Sequence, residues 1–300
     1  MSGPEVFRRR VTYALAPFLR FAPAWHRWRL YSRLRGDPYG EDGFAGVSRR
    51  VALKPHGYVV DLELGDWMER FSALTRHYYD PATIFTLTRL LRPGDVFIDV
   101  GANIGMISLT AARLVGDSGR VLAFEPNARL AQRLEATIAA NGLGRMRVFP
   151  VALGNEVTTA RLETGAQHGA GSLRSGAGAP VPVRRGDDFV ADIPENARIF
   201  LKIDVEGYEQ RVLAGFEKLL ARPSVVLFVE VTDAWLRELG GSAQGLFEMM
   251  SAQGYDAFTP KLDWRSRLAF EQLGGPLSAH QYDVVFVRPD DPRTPAAGSR

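Results

Sequence analysis

The sequence predicts an α/β fold: a mostly parallel sheet covered by helices on both faces, with an antiparallel pair of strands at one edge. Three observations carry this. Residues 96–100, 121–124, 146–151, 199–204 and 225–231 are near-continuous apolar runs, the pattern of strands buried on both faces. Segments of helical periodicity lie between or after them, at 104–114, 130–138, 208–220 and 243–252. The last two runs, 255–258 and 283–287, have no convincing crossover helix between them, so they pair antiparallel at an edge and bring the count to seven strands.

The elements before the sheet follow from local chemistry. Residues 51–64 alternate loosely around Gly57 and Gly65 and read as a short hairpin. Asp66 is a helix N-cap with Glu69 as its capping-box partner, and Trp67, Phe71 and Leu74 share one face. Pro81 opens a further helix that carries Ile84, Leu87, Leu90 and Leu91 and stops at Pro93-Gly94. Residues 165–179 hold nine Gly or Ala in fifteen positions and no periodicity, which predicts a mobile surface loop rather than a lid.

Composition narrows the class. Hydrophobic residues at 46% and charged residues at 24% exclude a disordered or collagenous chain. With no cysteine, disulfides, thiolate metal sites and cysteine nucleophiles are excluded together. No run of 18 apolar residues is present to span a bilayer. The net charge of +3 hides an asymmetry, because residues 1–36 carry +7 and the remainder −4. That leader also holds Phe18, Phe21, Trp25, Trp28 and Tyr31, which suits an anionic membrane surface, a nucleic acid, or packing of the arm on its own acidic body. A signal peptide is a weaker reading, since two prolines and Arg20 interrupt the apolar run after Arg8, Arg9 and Arg10. The expected organisation is a basic aromatic arm at 1–36, a hairpin and helical lead-in at 37–92, the sheet domain at 93–289 and a disordered tail at 290–300.

The chemistry concentrates at strand ends. Asp99-Val-Gly-Ala-Asn-Ile-Gly105 turns a buried strand into a helix, and its glycines allow close approach of a ligand to backbone and to the free N–H groups of the helix start. Its glycines stand four apart, so it is not the dinucleotide fingerprint. Glu125, 26 residues after Asp99 at the end of the neighbouring strand, faces the same crevice and suits both hydroxyls of a ribose. Lys202 interrupts the apolar strand of Leu201-Lys-Ile-Asp-Val-Glu-Gly-Tyr-Glu209 and needs a partner, for which Glu230 is expected. Asp204 and Glu206 follow at the strand's carboxyl end, where such sheets place reacting groups.

Together Asp99-Val-Gly-Ala-Asn-Ile-Gly105, Phe124-Glu-Pro-Asn127, Val151-Ala-Leu-Gly154 and Leu201-Lys-Ile-Asp-Val-Glu-Gly-Tyr208 resemble the FkbM-type branch of the class I S-adenosylmethionine-dependent methyltransferases. Tyr78-Tyr-Asp-Pro81 fits the same pattern, with Asp80 where glutamate is commoner. The resemblance covers about residues 55–288 and implies a Rossmann-like fold, S-adenosylmethionine as methyl donor and a hydroxyl acceptor on a saccharide, glycan or natural product. It implies that Asp99, Gly101, Asn103 and Gly105 hold the methionine end of the donor, Glu125 the ribose and the backbone around Ala152 the adenine. Asp204 or Glu206 is the expected general base, with His168 a second candidate. A metal-assisted route through Asp204, Glu206 and Glu230 is disfavoured, because no ligand spacing demands it. The expected location is the cytoplasm, at the inner face of a membrane through the basic arm, and nucleic acid is not an expected partner. A nucleic-acid methyltransferase and a non-catalytic cofactor-binding protein stand as alternatives.

Overall fold

A computed structural model of the 300-residue chain describes residues 11, 14–22, 24–35, 44, 46–164, 171–174 and 178–295. The chain divides into two units, one formed by Met1–Phe85 with Leu262–Leu268 and the other by Thr86–Lys261 with Ala269–Arg300.

In the first unit a 3₁₀ turn, Ala16–Phe21, precedes helix α1, Ala24–Arg35. The expected hairpin is present as β1, Ser48–Leu53, paired antiparallel with β2, Tyr58–Glu63. Helix α2, Trp67–Thr75, is capped as its sequence requires, with Asp66 Oδ1 accepting from the N–H groups of Met68 and Glu69 at 2.9 and 3.0 Å. Glu69 departs from the capping box. Its Oε2 accepts from the N–H of Glu63 at 2.6 Å, while the Asp66 N–H donates to the Glu63 carbonyl. Tyr31 of the basic arm is fully buried, edge-on to Phe71, and packs with Leu19 and Leu74. Part of the arm therefore packs into this unit's own core.

Helix α3, Pro81–Leu90, leads to the main sheet. Its strands are β3, Val96–Val100, β4, Arg120–Phe124, β5, Met146–Phe149, β10, Ile199–Ile203, β11, Val225–Val231, β12, Asp256–Leu262, β13, Leu268–Leu273, and β14, Tyr282–Val287. Their order is β5-β4-β3-β10-β11-β14-β12-β13. The first five run parallel, and every residue of β3 and β10 is buried, as continuous apolar runs require. From β3 the chain winds outward through β4 and β5, then returns to lay β10 on the other side. The carboxyl ends of β3 and β10 thus flank a topological switch point, where open α/β sheets bind ligands.

The antiparallel pair is confirmed in register, Asp256 opposite Val287 and Phe258 opposite Val285. Its place differs from the expectation. Strand β14 lies inside the sheet between β11 and β12, and an eighth strand, β13, lies at the edge. In Leu268–Leu273 only Phe270 is buried, so the segment has no apolar run from which to read a strand.

A second sheet was not anticipated. Strands β6, Ala152–Gly154, β7, Thr158–Thr164, β8, Gly171–Arg174, and β9, Ala179–Arg185, order as β6-β9-β7-β8. The segment expected to be a loop thus contributes one whole strand and the start of another. Pro180 and Pro182 hide the pattern of β9, yet Val181 and Val183 alternate with them into the core that also contains Leu162 and Leu173.

Four helices complete the part that shapes the crevice: α4, Met106–Val115, α5, Ala128–Asn141, α6, Glu209–Ala214, and α7, Glu217–Leu220. The single helix expected over 208–220 breaks at Gly215, where a Cβ would stand 2.0 Å from the Gly154 carbonyl oxygen. Helices α8, Asp233–Glu238, and α9, Ala243–Ala252, follow β11.

Candidate active site

The loop between β3 and α4 is held by its own backbone. The N–H groups of Gly101 and Ala102 both donate to the Phe124 carbonyl at 3.0 Å, which ties the loop to the end of β4. At Gly101, φ is 83° and a Cβ would lie 1.9 Å from the Asp204 carbonyl oxygen. Only glycine fits there, because the turn into α4 and the end of β10 touch backbone to backbone. Gly105, with φ 85°, lies so close to α5 that a Cβ would meet Leu134 at 2.2 Å.

Glu125 lies against this loop. Its Oε2 accepts from the Asn103 N–H and its Oε1 from the Asn127 N–H, both at 2.8 Å. Asn103 is itself left-handed, φ 52°, with Oδ1 accepting from the Ile104 N–H at 2.7 Å. The Glu125 side chain is buried, and burial pushes its carboxyl up to about 7 against the opposing pull of the two N–H donors. Each oxygen retains acceptor capacity beyond its one backbone bond.

Asp99 has a different place from the one expected. It is fully buried beneath the loop, its Oδ2 accepting from Ser108 Oγ at 2.6 Å and its Oδ1 lying 3.2 Å from Lys202 Nζ. Burial raises its pKa, with the Lys202 ammonium and the Ser108 hydroxyl opposing that rise. It braces strand, loop and helix rather than facing the crevice.

Lys202 corrects a second expectation. Its Nζ is 3.2 Å from Asp99 Oδ1 and 3.3 Å from Asp204 Oδ2, so these carboxylates, not Glu230, are its partners. Register supplies the reason. Lys202 is level with Asp99 on β3 and with Phe228 on β11, which puts Glu230 two residues further along. Burial disfavours the ammonium, yet Asp204 and Asp99 more than offset it and hold Lys202 above the ordinary lysine value.

Glu230 instead interacts electrostatically with Asp204. Burial, followed by the Asp204 and Asp283 carboxylates, pushes the Glu230 carboxyl well above the usual carboxylate range. Asp283 faces it across the β11–β14 register. Asp204 is part-exposed, 31% for the side chain, and its N–H donates to the Val100 carbonyl at the end of β3. A carboxylate open to the crevice therefore sits directly beside the glycine loop. Beyond it Glu206 is left-handed, φ 51°, and Glu209 accepts from the Gly207 N–H at 2.9 Å with its carboxyl raised to about 7, chiefly by burial. Ala152 is buried at the start of β6. His168 lies outside the described residues. Among the described residues, no group of three or more ligating side chains has the arrangement of a metal site.

Sequence reasoning missed Ser108 and Glu209. A serine and a glutamate inside helices carry no local signal of the buried acid or turn they serve.

A family model described as the methyltransferase FkbM domain matches residues 99–257, more than half of the chain. The chain belongs to the FkbM methyltransferase family. The match begins at the buried Asp99 and contains the loop, Glu125 and the whole Lys202–Asp204–Glu230 group. Curated protein sequences return no match. Similar solved structures include precorrin-6y C5,15-methyltransferase from Geobacter metallireducens, at 15% identity over 69% of this chain and 88% of that one, TM-score 0.39. A SAM-dependent O-methyltransferase from Thermotoga maritima is similar at 16% identity over 70% and 65%, TM-score 0.40. An rRNA methylase from Streptococcus thermophilus is similar at 13% over 69% and 93%, TM-score 0.39.

As an FkbM methyltransferase the chain uses S-adenosylmethionine. The residues present fit that donor: a strand-to-helix turn through Gly101 and Gly105 and, hydrogen-bonded to it, a buried carboxylate with acceptor capacity to spare.

Proposed function

We propose that this chain methylates a hydroxyl oxygen of a saccharide, glycan or natural-product acceptor, with Asp204 as the general base. The part-exposed Asp204 carboxylate beside the donor cradle carries this reading. Gly101, Asn103 and Gly105 would hold the methionine end, with Asp99 bracing that loop from below; Glu125 would take the ribose hydroxyls and the backbone at Ala152 the adenine. The bound donor supplies an electrophilic methyl group on a sulfonium that departs as a neutral thioether. What the protein must add is alignment and a place for the hydroxyl proton. Asp204 receives that proton as the acceptor oxygen bonds to carbon. Lys202 holds Asp204 from one side, leaving its part-exposed face to meet the acceptor.

In Asp204→Asn, transfer of labelled methyl into a glycan extract is expected to fall by about 10²–10⁴, while S-adenosylhomocysteine affinity by calorimetry stays within about twofold. Unchanged transfer removes Asp204 from the role.

A location at the inner, cytoplasmic face of a membrane is the accompanying proposal. Among the described residues no helix is long and apolar enough to cross a membrane. Leu15, Phe18 and Phe21 are 44, 66 and 71% exposed, and their spacing of three matches the repeat of a 3₁₀ turn, so they share one edge. Exposed Arg29 and Arg33 on α1 supply charge for anionic headgroups. The chain is expected to sediment with phosphatidylserine vesicles but not with phosphatidylcholine alone, and Phe18→Ser/Phe21→Ser to lose most of that binding. Equal sedimentation with both lipids, or none, contradicts it.

A further inference from the structure

The geometry points to a second binding site, for a phosphate monoester, at the pole of the main sheet opposite the donor crevice. A cavity of about 260 Å³ is lined there by Arg89, Arg92, Arg198 and Arg293, with Phe270 and Pro292 among its apolar walls. Arg92 and Arg198 stand just before the first residues of β3 and β10, whereas Gly101 and Asp204 follow the last residues of the same strands. Five residues of strand separate the two sites by about 17 Å. A ligand here therefore does not overlap the methyl donor.

The four guanidinium groups are not equally engaged. Arg293 is spent on its own neighbour: Nε and Nη2 grip Asp291 at 2.9 and 2.6 Å, and Nη1 donates to the Ile199 carbonyl at 3.0 Å. It is a rigid floor. Arg198 Nε lies 3.2 Å from Asp95 Oδ1 without a hydrogen bond, and its side chain is 37% exposed. Arg92 Nη1 donates to the carbonyls of Arg89 and Leu91, at 2.9 and 2.7 Å, which directs the group without neutralising it. Among the described residues, the Arg89 guanidinium has no hydrogen bond or ion pair. Asp95 and Asp291 thus offset two of four positive charges, leaving two.

That surplus selects the ligand. A phosphate monoester carries about −1.5 to −2 charges at neutral pH and three acceptor oxygens, which suits unspent guanidinium forks, whereas a single carboxylate leaves one charge unmatched. The small volume and the apolar walls restrict the rest of the ligand to a compact body, about the size of a sugar, and exclude a dinucleotide.

The test is thermal shift and calorimetry on the full chain at constant ionic strength, with glucose 6-phosphate, inorganic phosphate, gluconate and glucose as probes. Glucose 6-phosphate is expected to bind saturably and raise Tm, with gluconate and glucose inert. Inorganic phosphate matching the ester assigns the site to free phosphate, the same chemistry without the body. In Arg89→Gln/Arg92→Gln, both exposed positions, phosphate binding is expected to weaken by about tenfold or more, with S-adenosylhomocysteine affinity unchanged. No saturable binding of either phosphate, gluconate binding as well as the ester, or undiminished binding by the double variant overturns the site.

Discussion

Replacing Lys202 by methionine is expected to lower unfolding free energy by about 3–5 kcal/mol, the cost of leaving a buried charge without its partner. Asp99 is fully buried, and with the ammonium gone its remaining side-chain donor is Ser108. Urea denaturation measures the loss. The double variant Asp99→Asn/Lys202→Met is expected to recover much of it, since removing both charges removes the need for pairing. If the single variant unfolds at the wild-type midpoint, or the double variant is as unstable as the single, the ion pair does not hold the floor of the crevice.

Replacing Glu125 by alanine is expected to weaken S-adenosylhomocysteine binding by about 10²-fold, as two hydrogen bonds to a charged group disappear. Calorimetry on the folded variant is the measurement, and unchanged affinity contradicts the ribose assignment. The pH dependence follows from the same side chain. Burial lifts its carboxyl from 4.5 to about 7. A raised carboxyl contributes stability that is full below about pH 4.5 and lost as pH rises through about 7, because the native state binds the proton more tightly than the unfolded chain. Ligand hydroxyls need the ionised form as acceptor, so donor-site affinity is expected to rise with pH across about 7 and then level off, a trend Glu125→Ala abolishes. Affinity that is flat across that window is the contrary result.

The parts of the site legible in sequence are those whose chemistry is local. Gly101, Asn103 and Gly105 are visible because a strand that turns at once into a helix needs left-handed residues, and Asn103 and Gly105 adopt that conformation with Gly101. Glu125 is visible because it ends the apolar run of β4 before Pro126. The partner of Lys202 is not. Glu230 is the acid next along the chain in a strand, but pairing depends on register, and register places Asp99 and Asp204 nearer.

Apolar periodicity alone determined the alternating strands and helices, the parallel core of the sheet and the position of the glycine loop, because burial of continuous hydrophobic runs admits few other arrangements. The β6–β9 sheet, the interior place of β14 and the edge strand β13 were settled only by tertiary packing, since their segments are short, proline-bearing or half-exposed and gain stability from neighbours distant in the chain. The charge states of the crevice belong to the same class. The Glu230 carboxyl is raised by the water it loses and by the acids that strand order brings beside it, and neither is written in its own stretch of sequence.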